Sequence, residues 1–162
     1  MNVGIIGCGL MGRRRAESLR GIEGVRLVAC YDIDEQAAEN FAETFDCDCP
    51  FSLTYFLKDS NLDIVIVATP NNTLPQYTLG AVLAGKHVLV EKPAARTSAE
   101  LNQAVKKAAE NKVLVRVGYS LRYHPAIQQV RRMVDDGDIG DLMYIRARYG
   151  HGGRPGYEKE WR

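Results

Sequence analysis

Three glycines at one fixed spacing constrain this chain more than any other feature. Residues 7–12 read GCGLMG, a G-x-G-x-x-G run that follows the apolar stretch Val3, Gly4, Ile5, Ile6. The residues after it, 10–20, read as a helix that ends near Gly21. In that setting each glycine has its own task. Gly7 permits a tight strand-to-helix turn. Gly9 lets backbone approach a pyrophosphate, and Gly12 lets the helix pack close to the sheet. A helix start, here Leu10 and Met11, adds free N–H groups and partial positive charge for phosphate. The spacing alone is a weak signal, and the strand before it and helix after it give it weight.

Residues 25–31, VRLVACY, read as a second strand, and Asp32 stands at its end, about 20 residues past Gly12. A carboxylate there accepts hydrogen bonds from the adenosine ribose hydroxyls and repels a 2′-phosphate, which favours NAD over NADP. Ile33 follows, so no arginine comes next to pair with such a phosphate. FAD and S-adenosylmethionine sites also use glycine turns with a strand-end acid, and the glycines do not exclude them. Of Arg13, Arg14 and Arg15, one could reach a phosphate, but a solvated first helical turn is the simpler reading.

The rest of the chain keeps alternating. Residues 34–45 carry Ala37, Ala38, Phe41 and Phe45 at helical spacing, with Asp34 as N-cap. Residues 46–50 are a turn-rich connector with room for a short edge strand, and 52–60 form a short helix. Residues 62–68, LDIVIVA, are apolar on both faces, which suits the middle of a parallel sheet. A helix at 73–84 stops at Gly85, and a strand follows at 87–90. Thr97 and Glu100 frame a capping box that opens a helix to about Asn111, and 113–117 make a further strand. The order predicts an α/β fold: a Rossmann-type doubly wound parallel sheet over residues 1–119.

After Gly118 the pattern changes. Residues 125–134 form an amphipathic helix, 137–140 a turn, and 142–149 alternate like an antiparallel strand with one wet face. A lone strand cannot bury its apolar face. Residues 120–162 therefore read as the incomplete start of a second α/β domain. Its open strand edge invites pairing with another copy, so a homo-oligomer is expected.

Composition excludes other classes. The net charge of +1 gives no global field for nucleic acid or anionic membrane. No apolar run approaches the roughly 18 residues needed to span a bilayer. The N-terminus lacks a basic segment ahead of an apolar one, so no signal peptide is read and a cytoplasmic protein is expected. Cys8, Cys30, Cys47 and Cys49 lack zinc-site spacing and read as reduced, unligated thiols, so no metal is expected.

Two more loops follow strand ends, where open α/β sheets bind ligands. They are Thr69, Pro70, Asn71, Asn72 and Glu91, Lys92, Pro93. GCGLMG, YDID, ATPN, AGKHVLVEKP and GYSLRYHP occur in that order, and AGKHV followed by EKP is the specific part. Together they resemble the glucose–fructose oxidoreductase / inositol dehydrogenase / MocA family over nearly the whole chain. The resemblance implies NAD as cofactor and hydride transfer between nicotinamide and a secondary alcohol of a sugar, cyclitol or related polyol. It implies that Lys92 lies near the reacting carbon, and it is in keeping with a cis Lys92–Pro93 bond. A nearby ammonium stabilises a developing oxyanion or relays the proton that an alcohol must lose. Partial burial would make the lysine more useful in that task. Glu91 either orients the cofactor or caps the turn. Arg122, with Tyr123, is a candidate for the nicotinamide side of the cleft.

Two departures stand out. The family's T-P-N-x-x-H loop has Leu74 at the histidine position. Full members are also about twice this long, and their second domain carries most of the substrate pocket and an Asp and His pair. His124 and His151 are the remaining candidate bases here. Each reads better as structural or solvated, since neither has a carboxylate at orienting spacing. Two readings follow. The chain is the NAD-binding part of a polyol or sugar dehydrogenase, or it is a non-catalytic NAD(H)-binding module acting as a sensor or partner subunit.

Overall fold

Apolar side chains on both faces leave β1 (Asn2–Ile6) one suitable place, the centre of a covered sheet. A computed structural model describes residues 1–148 and 150. The chain divides into two compact units, Met1–Gly118 and Tyr119–Arg162. The first unit runs β1, α1 (Leu10–Leu19), β2 (Arg26–Tyr31), α2 (Glu35–Phe45), α3 (Leu53–Lys58), β3 (Ile64–Val67), α4 (Leu74–Leu83), β4 (His87–Val90), α5 (Ser98–Glu110) and β5 (Val115–Val117).

All strands pair in parallel, in the order β2-β1-β3-β4-β5. The connector after α2 adds a single bridge to β2, Ala29 opposite Asp48. The Cys30 N–H donates to the Asp48 carbonyl at 2.8 Å, and the Asp48 N–H donates to the Val28 carbonyl at 2.9 Å. Counted as a strand, this bridge gives the 3-2-1-4-5-6 order of dinucleotide-binding sheets.

Two cores lie on opposite faces of the sheet. Val3, Ile5 and Ile66 pack with Ala16 of α1 and Ala38 and Phe41 of α2. Ile6, Val65 and Val67 pack with Phe56 of α3, Leu74, Ala81 and Val82 of α4 and Ala108 of α5. Successive strand residues point to opposite faces. That is why β3, Ile64–Val67, has to be apolar throughout. The helix starts follow the capping residues. The Asp34 carboxylate accepts the Ala37 N–H at 3.1 Å, Ser52 Oγ the Tyr55 N–H at 3.3 Å, and Thr97 Oγ1 the Glu100 N–H at 3.3 Å.

The second unit holds a 3-10 turn, Ser120–Tyr123, and α6 (Pro125–Asp135). The α6 residues Ile127 and Val130 are exposed. The strand expected over 142–149 is not found at residues 142–148, and Tyr149 lies outside the described residues. Alternation places side chains on two faces, but a strand also needs a backbone ladder partner. Among the described residues, 142–148 have none.

Candidate dinucleotide site

The carboxyl ends of β1 and β3 flank the switch point of the sheet, and the glycine turn is seated between them. The Gly7 N–H donates to the Tyr31 carbonyl at 2.9 Å. Gly7 has φ +100°, and a Cβ on it would stand 2.6 Å from the Ala68 carbonyl oxygen. A Cβ on Gly12 would run into the Gly7 carbonyl oxygen. Gly9 differs, because a Cβ there would meet nothing within 4 Å. The first intrahelical bond of α1 is from the Arg13 N–H to the Gly9 carbonyl at 3.0 Å. The N–H groups of Leu10, Met11 and Gly12 therefore have no acceptor within the helix. The helix has no side-chain cap and no acidic residue in its first turn. Unclaimed donors beside an open glycine fit a pyrophosphate.

Asp32 joins the turn to β2. Its Oδ2 accepts the Cys8 N–H at 2.7 Å, and its Oδ1 accepts the Asp34 N–H at 3.1 Å. Each carboxylate oxygen keeps a further lone pair for a hydroxyl donor. After β3, Thr73 Oγ1 lies 2.9 Å from Thr69 Oγ1 and 2.8 Å from the Pro70 carbonyl oxygen, which folds Thr69, Pro70 and Asn71 into a closed turn. Leu74, at the position of the expected histidine, is fully buried in the core. After β4, the Glu91 N–H donates to the Val67 carbonyl at 2.9 Å. Glu91 is only 7% exposed, and its carboxylate forms an ion pair with Arg15. The Lys92–Pro93 peptide is cis. Lys92 is exposed, so the partial burial expected for it is not supplied within the described residues.

The run of arginines is therefore not one solvated face. Arg13 lies over the Phe41 ring at 5.7 Å, Arg14 is exposed, and Arg15 reaches Glu91. Sequence reasoning missed that pair, which joins positions 76 residues apart. Only the helical phase carried a hint of it, since neighbours on a helix diverge by about 100°. Arg122 and His124 lie in the second unit. Arg122 donates its N–H to the Tyr119 carbonyl at 3.2 Å, and His124 Nδ1 accepts the Ala126 N–H at 3.2 Å as the cap of α6. His151 lies outside the described residues.

A family model described as an oxidoreductase family with an NAD-binding Rossmann fold (Gfo/Idh/MocA) matches residues 1–119. The chain belongs to this family. The family's Rossmann fold is described as NAD-binding, which sets aside FAD and S-adenosylmethionine. Inositol 2-dehydrogenase 2 of Saccharopolyspora erythraea is 35% identical over 162 aligned residues, covering 96% of this chain and 47% of that protein. GenD2 from gentamicin A biosynthesis, solved in complex with NAD, superposes with a TM-score of 0.80 at 29% identity, covering 85% of this chain and 40% of that one. Biliverdin reductase of Synechocystis, solved with biliverdin and NADP+, has a TM-score of 0.74 at 32% identity, covering 86% and 44%. The chain thus spans about half the length of the proteins it matches. Both dinucleotides occur among them, so the choice between the two falls to this chain's own residues.

The first part of the family signature AGKHVLVEKP has a structural task. Lys86 is 8% exposed, and its Nζ donates to the Asp59 carbonyl at 2.6 Å and the Leu62 carbonyl at 2.8 Å. It ties the start of β4 to the loop before β3. His87 Nδ1 accepts the Leu114 N–H at 3.0 Å and ties β4 to the approach of β5. Lys86→Met should cost about 2–3 kcal/mol, because two carbonyls lose a charged donor. Urea unfolding followed by circular dichroism reads this, and an unchanged midpoint would remove Lys86 from that task.

The cysteines are free thiols. The Cys30 thiol and burial hold the Cys47 thiol well above the usual thiol range, which disfavours a reactive thiolate. Among the described residues, no group of three His, Cys, Asp or Glu side chains could hold a metal ion, and no helix is long and apolar enough to cross a membrane.

Proposed function

We propose that this chain is the cofactor-binding part of a cytoplasmic, homo-oligomeric dehydrogenase of sugars, cyclitols or related polyols, that it prefers NAD to NADP, and that Lys92 is its catalytic lysine. Asp32 carries the reading. Its carboxylate is fixed beside the glycine turn by the Cys8 and Asp34 N–H groups, and Ile33 brings no countercharge for a 2′-phosphate. Gly7, Gly9, Leu10, Met11 and Gly12 take the pyrophosphate, and Asp32 takes the adenosine ribose. Thr69, Pro70, Asn71 and Glu91 wall the nicotinamide side, and Arg122 is a further candidate for cofactor contact. Bound NAD supplies hydride acceptance. The chain's own part is to hold the dinucleotide, repel a 2′-phosphate and present the Lys92 ammonium to the substrate oxygen.

Asp32→Ala should weaken NADH binding by about 1–3 kcal/mol, the scale of lost charged hydrogen bonds, while NADPH binding stays level or improves. Calorimetry with both dinucleotides is the test. Unchanged NADH affinity would remove Asp32 from the role and the preference with it. The second reading is a non-catalytic NAD(H)-binding module acting as sensor or partner subunit, which needs the glycine turn and Asp32 but no chemistry from Lys92. That reading expects tight NADH binding with no hydride transfer even when a substrate domain is supplied, and turnover under those conditions would overturn it.

A further inference from the structure

Helix α1 and the loop after β4 are both parts of the candidate site, and one ion pair fastens them together. Arg15 lies five residues past the start of α1, the helix whose first N–H groups are proposed above to take the pyrophosphate. Its Nε donates to Glu91 Oε1 at 2.6 Å, and its Nη2 reaches the same oxygen. The two side chains are 21% and 9% exposed. A carboxylate this buried is costly without a partner. Gly118, at the end of β5, leaves the space for it. Its N–H donates to the Val90 carbonyl at 2.8 Å, and a Cβ there would stand 3.3 Å from Arg15 Nη2 and 3.6 Å from Glu91 Oε1. Glu91 immediately precedes Lys92. The pair therefore sets the root of the loop that presents the lysine, and its anchor is the helix that takes the phosphates.

We propose that Arg15 is a positioning residue: through Glu91 it fixes the loop of Glu91, Lys92 and Pro93 relative to α1, and so matches the nicotinamide side of the site to the phosphate side. This rests on the cofactor reading above. It assigns Arg15 a task that differs from both a solvated arginine and a phosphate ligand. A phosphate ligand would act on any ligand with a pyrophosphate. A positioning residue acting through Glu91 matters only for a ligand that carries the nicotinamide half. A lysine in its place keeps the charge but lacks the planar, multi-donor guanidinium, so it restores the pair only in part.

The test compares two ligands on the full 162-residue chain. ADP-ribose has the adenosine and the pyrophosphate, and NADH adds the nicotinamide. For Arg15→Met we expect NADH affinity to fall about tenfold, the loss of one charge-assisted hydrogen bond, with ADP-ribose affinity within about twofold of wild type. Arg15→Lys should fall between Arg15→Met and wild type for NADH, and it carries the test if Arg15→Met does not fold. Equal losses for both ligands would make Arg15 a phosphate ligand or a general structural residue, and no loss for either would make the pair incidental. Both results overturn the proposal. A wild-type chain that binds neither ligand would instead overturn the cofactor reading, and the positioning role would fall with it.

Discussion

Gly12→Ala is expected to destabilise the chain by about 3 kcal/mol or more and to abolish measurable NADH binding, while Gly9→Ala leaves stability within about 0.5 kcal/mol and weakens binding alone. The two glycines belong to one motif, but their surroundings differ. A methyl on Gly12 collides with the Gly7 carbonyl, which is backbone and has no rotamer to change. Gly7 has little room to yield, because its N–H is bonded to the Tyr31 carbonyl and its Cα faces the Ala68 backbone. Relief therefore requires α1 to move off β1, which shifts the N–H groups of Leu10, Met11 and Gly12 together and opens the packing of the buried Ala16. At Gly9 the backbone is extended, with φ −74°, and nothing stands within 4 Å of an added methyl. Alanine is harmless there until a pyrophosphate needs the space. Thermal unfolding and NADH titration of the two variants separate the effects, and a loss of about 3 kcal/mol corresponds to about 10 °C for a chain of this size. Equal stability of the two variants would show that the Gly12 contact is easily relieved. Full NADH affinity in Gly9→Ala would move the pyrophosphate away from the turn.

The glycine turn marks how far the sequence could be read. Gly7 and Gly12 answer to contacts within a few residues and a neighbouring strand, so their spacing disclosed their packing. The strands were legible for a similar reason. A β3 run with Val65 and Val67 facing one core and Ile66 the other has to be apolar at every position, and few alternatives bury such a run. The helix starts at Asp34 and Thr97 were visible because an N-cap is a local contact. Residues 142–148 show where local pattern stops. Alternation specified two faces there but no ladder partner, and a strand depends on the partner. Lys86 and Arg15 show the same limit in the site. Each meets groups far along the chain, and a lysine or arginine in a sequence carries no mark of a buried carbonyl or carboxylate waiting for it. The signature AGKHVLVEKP was legible as one unit, but its two lysines part ways: Lys86 ties strands together, and Lys92 is left exposed after β4.

That exposure shapes the largest effect expected of any substitution here. An ammonium in open water attracts a developing alkoxide weakly, because water screens the charge, and the attraction grows steeply as water is excluded. Lys92 should therefore contribute little until a substrate domain closes over it. The chain on its own is expected to bind NADH without oxidising polyols. With a complementary domain supplied from a longer relative, Lys92→Ala should lower turnover by about 10²–10⁴-fold, the range for removing a positioned proton-transfer group. NADH affinity should change far less, because the adenosine and pyrophosphate contacts are proposed for α1 and Asp32. Lys92→Arg should not restore turnover, since a guanidinium keeps its proton and cannot relay it. Steady-state rates with inositol and related cyclitols, set beside NADH titrations of the same samples, distinguish a lost catalytic group from a lost cofactor. Turnover that survives Lys92→Ala at the wild-type rate would end the catalytic assignment, and the proton would then have to leave through a residue of the supplied domain.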